Sequence, residues 1–178
     1  MTTVICRKIK WWYELAADTR INWWNIMLKE QNKIITWVIK LKSWEEIDML
    51  LSYTWDVIHH NLINNILEDI KSLPDSDRPS DRYVYFKLIH NSLKEISWIK
   101  DMYYTIIIVT PNEAAIINDT WFIENIYDFW SIWSWYELAI WIYLADPELD
   151  ITEYFKLIST RDIKTSSNFT YKQIIKHA

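Results

Sequence analysis

Polar and apolar positions alternate in short runs over the first third of the chain, the period expected of half-buried β-strands. Residues 2–9, 13–18, 25–29, 33–41 and 47–54 each have the length and side-chain character of a strand. From Asp56 the period changes: Val57, Ile58, Leu62, Ile63, Ile66, Leu67 and Ile70 recur at three and four, which predicts an amphipathic helix with one apolar face. After a loop at 74–80, a second helix is expected over about 81–96. Strands return at 103–110, 114–118 and 122–127, followed by helices at 136–145 and 151–163 and a last strand at 169–175. Asp146-Pro147 separates the two later helices, because proline cannot continue the hydrogen-bond ladder. Strands and helices come in groups, which predicts an α+β fold: antiparallel sheets with helices packed outside them. One domain over 1–178 is the simplest division for this length.

Composition changes the picture at the turns. The chain has no glycine and 13 tryptophans, where a usual glycine share of about 7 % would give about 12. Trp11-Trp12, Trp23-Trp24 and Ser43-Trp44 fall between predicted strands. Two-residue hairpin loops need positive φ, which glycine supplies and a bulky aromatic resists. This placement suggests that many of the tryptophans are glycines in the living protein, as when UGA codons are read as glycine. Residues are named below as they stand in the sequence.

With 51 % hydrophobic and 24 % charged residues the chain reads as globular, and a net charge of −5 argues against a general nucleic-acid footprint. Cys6 is the only cysteine, so no internal disulfide can form; on an apolar stretch it reads as a small core residue. The apolar runs 103–109 and 138–145 are far short of the ~20 residues that span a bilayer, and no signal-peptide pattern opens the chain. No membrane partner is expected, and the cytoplasm is the default location. His59-His60 would point in different directions on a helix, with no third ligand spaced to complete a metal site. No metal or other cofactor is expected.

Four features carry chemistry. Removal of Met1 would expose Thr2 with a free α-amine, a minimal nucleophile whose own amine can accept the hydroxyl proton. That amine's reference pKa of about 7.7–8.0 leaves it partly neutral near neutral pH. Asp18 ends the second predicted strand in Leu15-Ala16-Ala17-Asp18-Thr19-Arg20, and Lys33 opens a later one in Asn32-Lys33-Ile34-Ile35. Ser134 stands in Trp130-Ser131-Ile132-Trp133-Ser134-Trp135. With Trp130, Trp133, Trp135 and Trp141 read as glycine, that segment becomes a tight entry into the following helix that presents a serine.

The order of these residues resembles the N-terminal-nucleophile (Ntn) hydrolases of the proteasome type, including the bacterial threonine peptidase HslV. The likeness spans nearly the whole chain, from the Thr-Thr start through Ala-Ala-Asp and Lys-Ile to Arg161-Asp162-Ile163. It implies a four-layer αββα sandwich of two stacked antiparallel sheets. It also implies that Thr2 is the nucleophile, with Asp18 and Lys33 beside it and the lysine charge lowering the pKa of the amine or hydroxyl. Ser134 would hydrogen-bond the threonine amine. A backbone N–H in the turn Ser52-Tyr53-Thr54-Trp55-Asp56, assigned to Trp55, would bind the oxyanion. Asp162 matches an acid near the site. The family further implies a homo-oligomeric ring that cleaves unfolded polypeptide, and an HslU-like ATPase partner. The chain departs from HslV between Lys33 and Trp55, where it is longer, and after Ser134, where small residues are missing.

Two other readings compete. The same fold could serve as a noncatalytic structural subunit. Taken literally, the tryptophans could be platforms for glycans or a membrane interface. Such platforms expect alternation on one strand face, whereas these residues cluster in loops.

Overall fold

The alternation that marks the strands sorts their side chains onto two faces, and each face finds a different partner. The computed structural model describes residues 3–23, 26–54, 57–100, 104–118, 120, 123–132, 136–161 and 168–175. Among these the elements are β1 (Val4–Ile9), β2 (Trp12–Asp18), β3 (Arg20–Trp23), β4 (Ile26–Glu30), β5 (Ile34–Lys40), β6 (Glu46–Thr54), α1 (Val57–Lys71), α2 (Arg82–Lys100), β7 (Thr105–Val109), β8 (Ala114–Asn118), β9 (Ile123–Ile126), β10 (Phe129–Ile132), α3 (Tyr136–Ala145), α4 (Ile151–Ser159) and β11 (Phe169–Ile175). One antiparallel sheet has the order β10-β1-β2-β11, a second β5-β6-β7-β8-β9, and β3-β4 form a separate hairpin.

Val4, Cys6, Leu15 and Ala17 of the first sheet pack against Ile34, Leu50, Ile107, Val109 and Ile116 of the second, forming the buried layer between them. On the opposite face of the first sheet, Ile5 and Ala16 meet Ala139 of α3 and Ile151, Tyr154, Phe155 and Ile158 of α4. On the opposite face of the second, Ile35, Met49, Leu51, Ile106 and Ile108 meet Ile63, Ile66 and Leu67 of α1 and Phe86, Ile89 and Leu93 of α2. The architecture is therefore the four-layer αββα sandwich, two stacked antiparallel sheets between helical layers. No helix among the described residues is long and apolar enough to cross a membrane.

Local signals place the helix ends. Asp150 caps α4 by accepting from the Thr152 N–H at 2.8 Å, and Asp81 accepts from the Val84 N–H at 2.9 Å at the start of α2. β8, α3 and β11 have the bounds expected from periodicity. Other elements differ, among them α2, which runs to Lys100 rather than ending near 96. β3 was not marked by the pattern, and α4 stops at Ser159, with Thr160 as its C-cap, rather than continuing to 163. The segment read as a helix entry at Trp130 is still strand: Phe129–Ile132 pairs with β1, Ile132 opposite Val4.

The turns bear on the missing glycine. Ile9 pairs with Trp12, so the first hairpin loop is Lys10-Trp11, and the positive φ of 48° falls on Lys10. Trp12 already belongs to the strand. Trp44 has a φ of 67° in the loop between β5 and β6, a left-handed conformation that glycine adopts without steric cost. Trp24 and Asn25, between β3 and β4, lie outside the described residues.

Candidate active site

The β1–β2 register pairs Val4 with Ala17 and so sets Thr3 opposite Asp18. The Asp18 N–H donates to the Thr3 carbonyl at 3.0 Å, and the Thr3 N–H donates to Asp18 Oδ2 at 2.7 Å. One carboxylate oxygen thus holds the backbone at the start of β1. The other accepts from Lys33 Nζ at 2.6 Å. Lys33 immediately precedes β5, and the next residue, Ile34, packs between the sheets, so the lysine links the second sheet to the end of β2 in the first. Asn32 shapes this entry: its Oδ1 accepts from the Ile34 N–H at 2.9 Å and from Thr170 Oγ1 of β11 at 3.1 Å.

Both charged side chains are out of solvent, Asp18 at 0 % and Lys33 at 1 % exposure. Burial pushes the Asp18 carboxyl above its ordinary range, opposed by the Lys33 charge, the hydrogen bond from Lys33 and the Thr3 N–H. Burial pulls the Lys33 amine below the ordinary lysine value, opposed by the charge of Asp18 and the hydrogen bond to it. A buried ammonium held in one geometry is an electrostatic device: it favours the deprotonated form of any acid placed beside it. Residue 2 is bonded to the same Thr3 nitrogen that Asp18 fixes.

Of the six residues singled out in the sequence, the structure brings Asp18 and Lys33 together. Thr2, Trp55, Ser134 and Asp162 lie outside the described residues. Around the pair, the Asn168 carbonyl accepts from both the N–H and the Oγ1 of Thr19, each at 3.2 Å, tying the start of β11 to the end of β2.

A second buried polar group was not singled out in the sequence. Arg7 Nε lies 2.7 Å from Glu14 Oε2, and Gln173 Nε2 donates to Glu14 Oε1 at 2.7 Å. The three residues are neighbours across β1, β2 and β11. The Arg7 guanidinium also bonds the Leu149 carbonyl and lies 5.6 Å from the Tyr154 ring centre, so the pair fastens the segment carrying α4 to the first sheet. Opposite charges equidistant from the hairpin loop were the available signal. Among the described residues no group of three or more His, Cys, Asp or Glu side chains is placed to hold a metal.

Solved structures resemble this arrangement over almost the entire chain. Eukaryotic HslV from Trypanosoma brucei superposes with a TM-score of 0.70, covering 98 % of this chain and 99 % of that one at 10 % identity. The fold is that of the proteasome-type Ntn hydrolases. BPH from Thiobacillus denitrificans, in complex with epoxomicin, gives 0.71 over 97 % of this chain and 98 % of its own at 15 % identity. Anbu, an ancestral β-subunit from Yersinia bercovieri, gives 0.78 over 97 % and 81 % at 9 % identity. No family model and no curated protein matches the sequence.

Proposed function

We propose that this chain is an N-terminal threonine peptidase of the proteasome and HslV type, hydrolysing peptide bonds of unfolded polypeptides inside a homo-oligomeric ring. The observation that carries the reading is the buried Asp18–Lys33 pair, with Asp18 also holding the Thr3 N–H. In this reading Met1 is removed and the Thr2 hydroxyl passes its proton to the Thr2 amine as its oxygen attacks the scissile carbonyl. The Trp55 N–H takes the developing oxyanion. Collapse expels the new amine terminus, which receives the proton, and leaves an ester on Thr2 that water hydrolyses. Lys33 lowers the pKa of the attacking group, Asp18 orients Lys33, Ser134 hydrogen-bonds the Thr2 amine, and Asp162 is an accessory acid. An HslU-like ATPase would supply the substrate.

The same proposal includes glycine at many of the tryptophan positions in the living protein. Trp44 in a left-handed conformation supports it. So does the exposure of Trp11, Trp44 and Trp141, whose indoles add little to the core. A glycine at position 55 would let a substrate carbonyl approach the backbone closely.

The test is covalent. Incubation of the native protein with epoxomicin should add one inhibitor mass per chain and stop peptide hydrolysis, and Thr2→Ala should lose both while folding normally. A native chain that keeps Met1, or that cleaves no peptide and takes no adduct, would assign it instead to the noncatalytic subunits of this fold.

A further inference from the structure

The two sides of the sandwich differ in charge. Between Lys100 and Lys156 the sequence holds ten aspartates and glutamates and no lysine, arginine or histidine. Over 156–178 it holds five lysines and arginines and one aspartate. The fold sets these stretches at opposite edges, because β10 and β11 are the outer strands of the first sheet. β9, an outer strand of the second sheet, runs into β10 through Tyr127-Asp128, and the Phe129 ring of β10 stacks on Tyr143 of α3 at 4.6 Å. β9, β10 and α3 therefore form one side. On the other, β11 stands over β5, with Lys172 Nζ donating to Thr36 Oγ1 and Thr170 Oγ1 to Asn32 Oδ1.

Each side also exposes apolar side chains. On the carboxylate side Tyr127 is 75 % exposed, and Tyr136, Ile140 and Leu144 recur every fourth residue along the outer face of α3. The exposed carboxylates Glu124, Asp128, Glu137, Asp146 and Glu148 belong to the same elements and their turns. On the cationic side β11 exposes Tyr171 and Ile175, each by 51 %. Arg161 is exposed past the end of α4, the helix whose Phe155 ring stacks on Phe169 of β11 at 4.5 Å. Exceptions are few: Lys8, whose N–H donates to the Asp128 carbonyl, approaches the first side, and Asp48 stands opposite Val38 of β5 on the second. Exposed apolar groups rimmed by charge mark an association surface. Two such surfaces of opposite sign match each other better than either matches itself, because a two-fold contact would set like charges face to face.

We propose that the β9–β10–α3 side of one subunit docks on the β11 side of a second copy of this chain, head to tail. Ile140 and Leu144 of one subunit and Tyr171 and Ile175 of the next form the apolar centre, and the carboxylates of the first face Lys172 and Arg161 of the next. Repeated contacts of this kind close into a ring; the assignment rests on the homo-oligomeric ring proposed above and not on the peptidase chemistry. Tyr136, Ile140 and Leu144 supply the stripe whether position 141 carries tryptophan or glycine.

Sedimentation velocity of the native protein across a salt series tests this, and assembly should weaken as salt rises. Leu144→Arg puts a cation on the carboxylate side, and Tyr171→Glu puts an anion on the cationic side. Each should weaken assembly at least about a hundredfold, through like charges brought together, while the circular dichroism spectrum stays native. Mixed in equal amounts, the two variants should assemble again, at least as a one-to-one dimer, because each keeps the side that the other has lost. Ile140→Arg and Ile175→Glu form a second pair if either substitution disturbs folding. Native-sized assemblies in both variants would overturn the head-to-tail contact and leave the ring standing. A native chain that stays monomeric would remove both. Folded monomeric variants that stay monomeric when mixed, or assembly that strengthens with salt, would also overturn the contact.

Discussion

Lys33 Nζ lies 2.6 Å from Asp18 Oδ1, joining the strand end of one sheet to the first residue before a strand of the other. Neither side chain reaches water, so neither can lose its partner without leaving a charge uncompensated. Lys33→Met should therefore destabilise the fold by about 3–5 kcal/mol. The double variant Asp18→Asn, Lys33→Met should recover most of that loss, since the desolvation cost of both charges disappears. Urea unfolding midpoints read the difference. A single-variant loss below ~1 kcal/mol would mean that solvent screens the pair.

His90 supplies a pH dependence. Its ring is buried, with Nδ1 3.0 Å from the Tyr104 hydroxyl, and burial, followed by the nearby Lys94 charge, depresses its pKa below the ordinary 6.5. The unfolded chain then binds the proton more readily than the folded one. The contribution of His90 is full above pH 6.5 and is lost as pH falls toward the folded value. Unfolding free energies between pH 7 and 5 should show this slope, and His90→Gln should flatten it.

Cys6 is fully buried between the sheets, and burial raises its thiol far above the ordinary range. The thiolate is the reactive form. A thiol reagent should leave native Cys6 unmodified and label it only as the sandwich opens, at a rate tracking global unfolding across a urea series. Rapid labelling of the native protein would contradict the packing of β1 against the second sheet.

Position 44 separates backbone from side chain. Trp44 has a φ of 67°, and its ring lies under Lys40 and Arg78. Trp44→Ala and Trp44→Gly both remove the ring, but glycine alone relieves the left-handed strain. The glycine variant should be the more stable of the two by about 1 kcal/mol in thermal or urea unfolding. Equal stabilities would remove the conformational argument for glycine at this site. Intact mass of the native protein then decides the residue, since each glycine in place of tryptophan removes a whole indole side chain.

Period and punctuation are local properties of the chain, and the elements that depended on them were legible. The four- and three-residue spacing of α1 put Ile63, Ile66, Leu67 and Ile70 in the core as expected. Tyr136–Ala145 ends just before the Asp146-Pro147 breaker, and Phe169–Ile175 has the bounds expected of it. β10 was hidden because Phe129–Ile132 does not alternate, and it becomes a strand only by pairing with β1 from the far end of the sequence. Asp18 and Lys33 could be nominated from the order of residues, but their 2.6 Å approach depends on stacking one sheet on the other. The Arg7–Glu14–Gln173 group needed three strands to be neighbours. The sequence alone determined most of the element types and the α+β grouping, because these follow from backbone period and residue order, and the four-layer arrangement was what the family resemblance implied. Which charges meet only the tertiary structure decided, because burial removes water from contacts that no local pattern encodes.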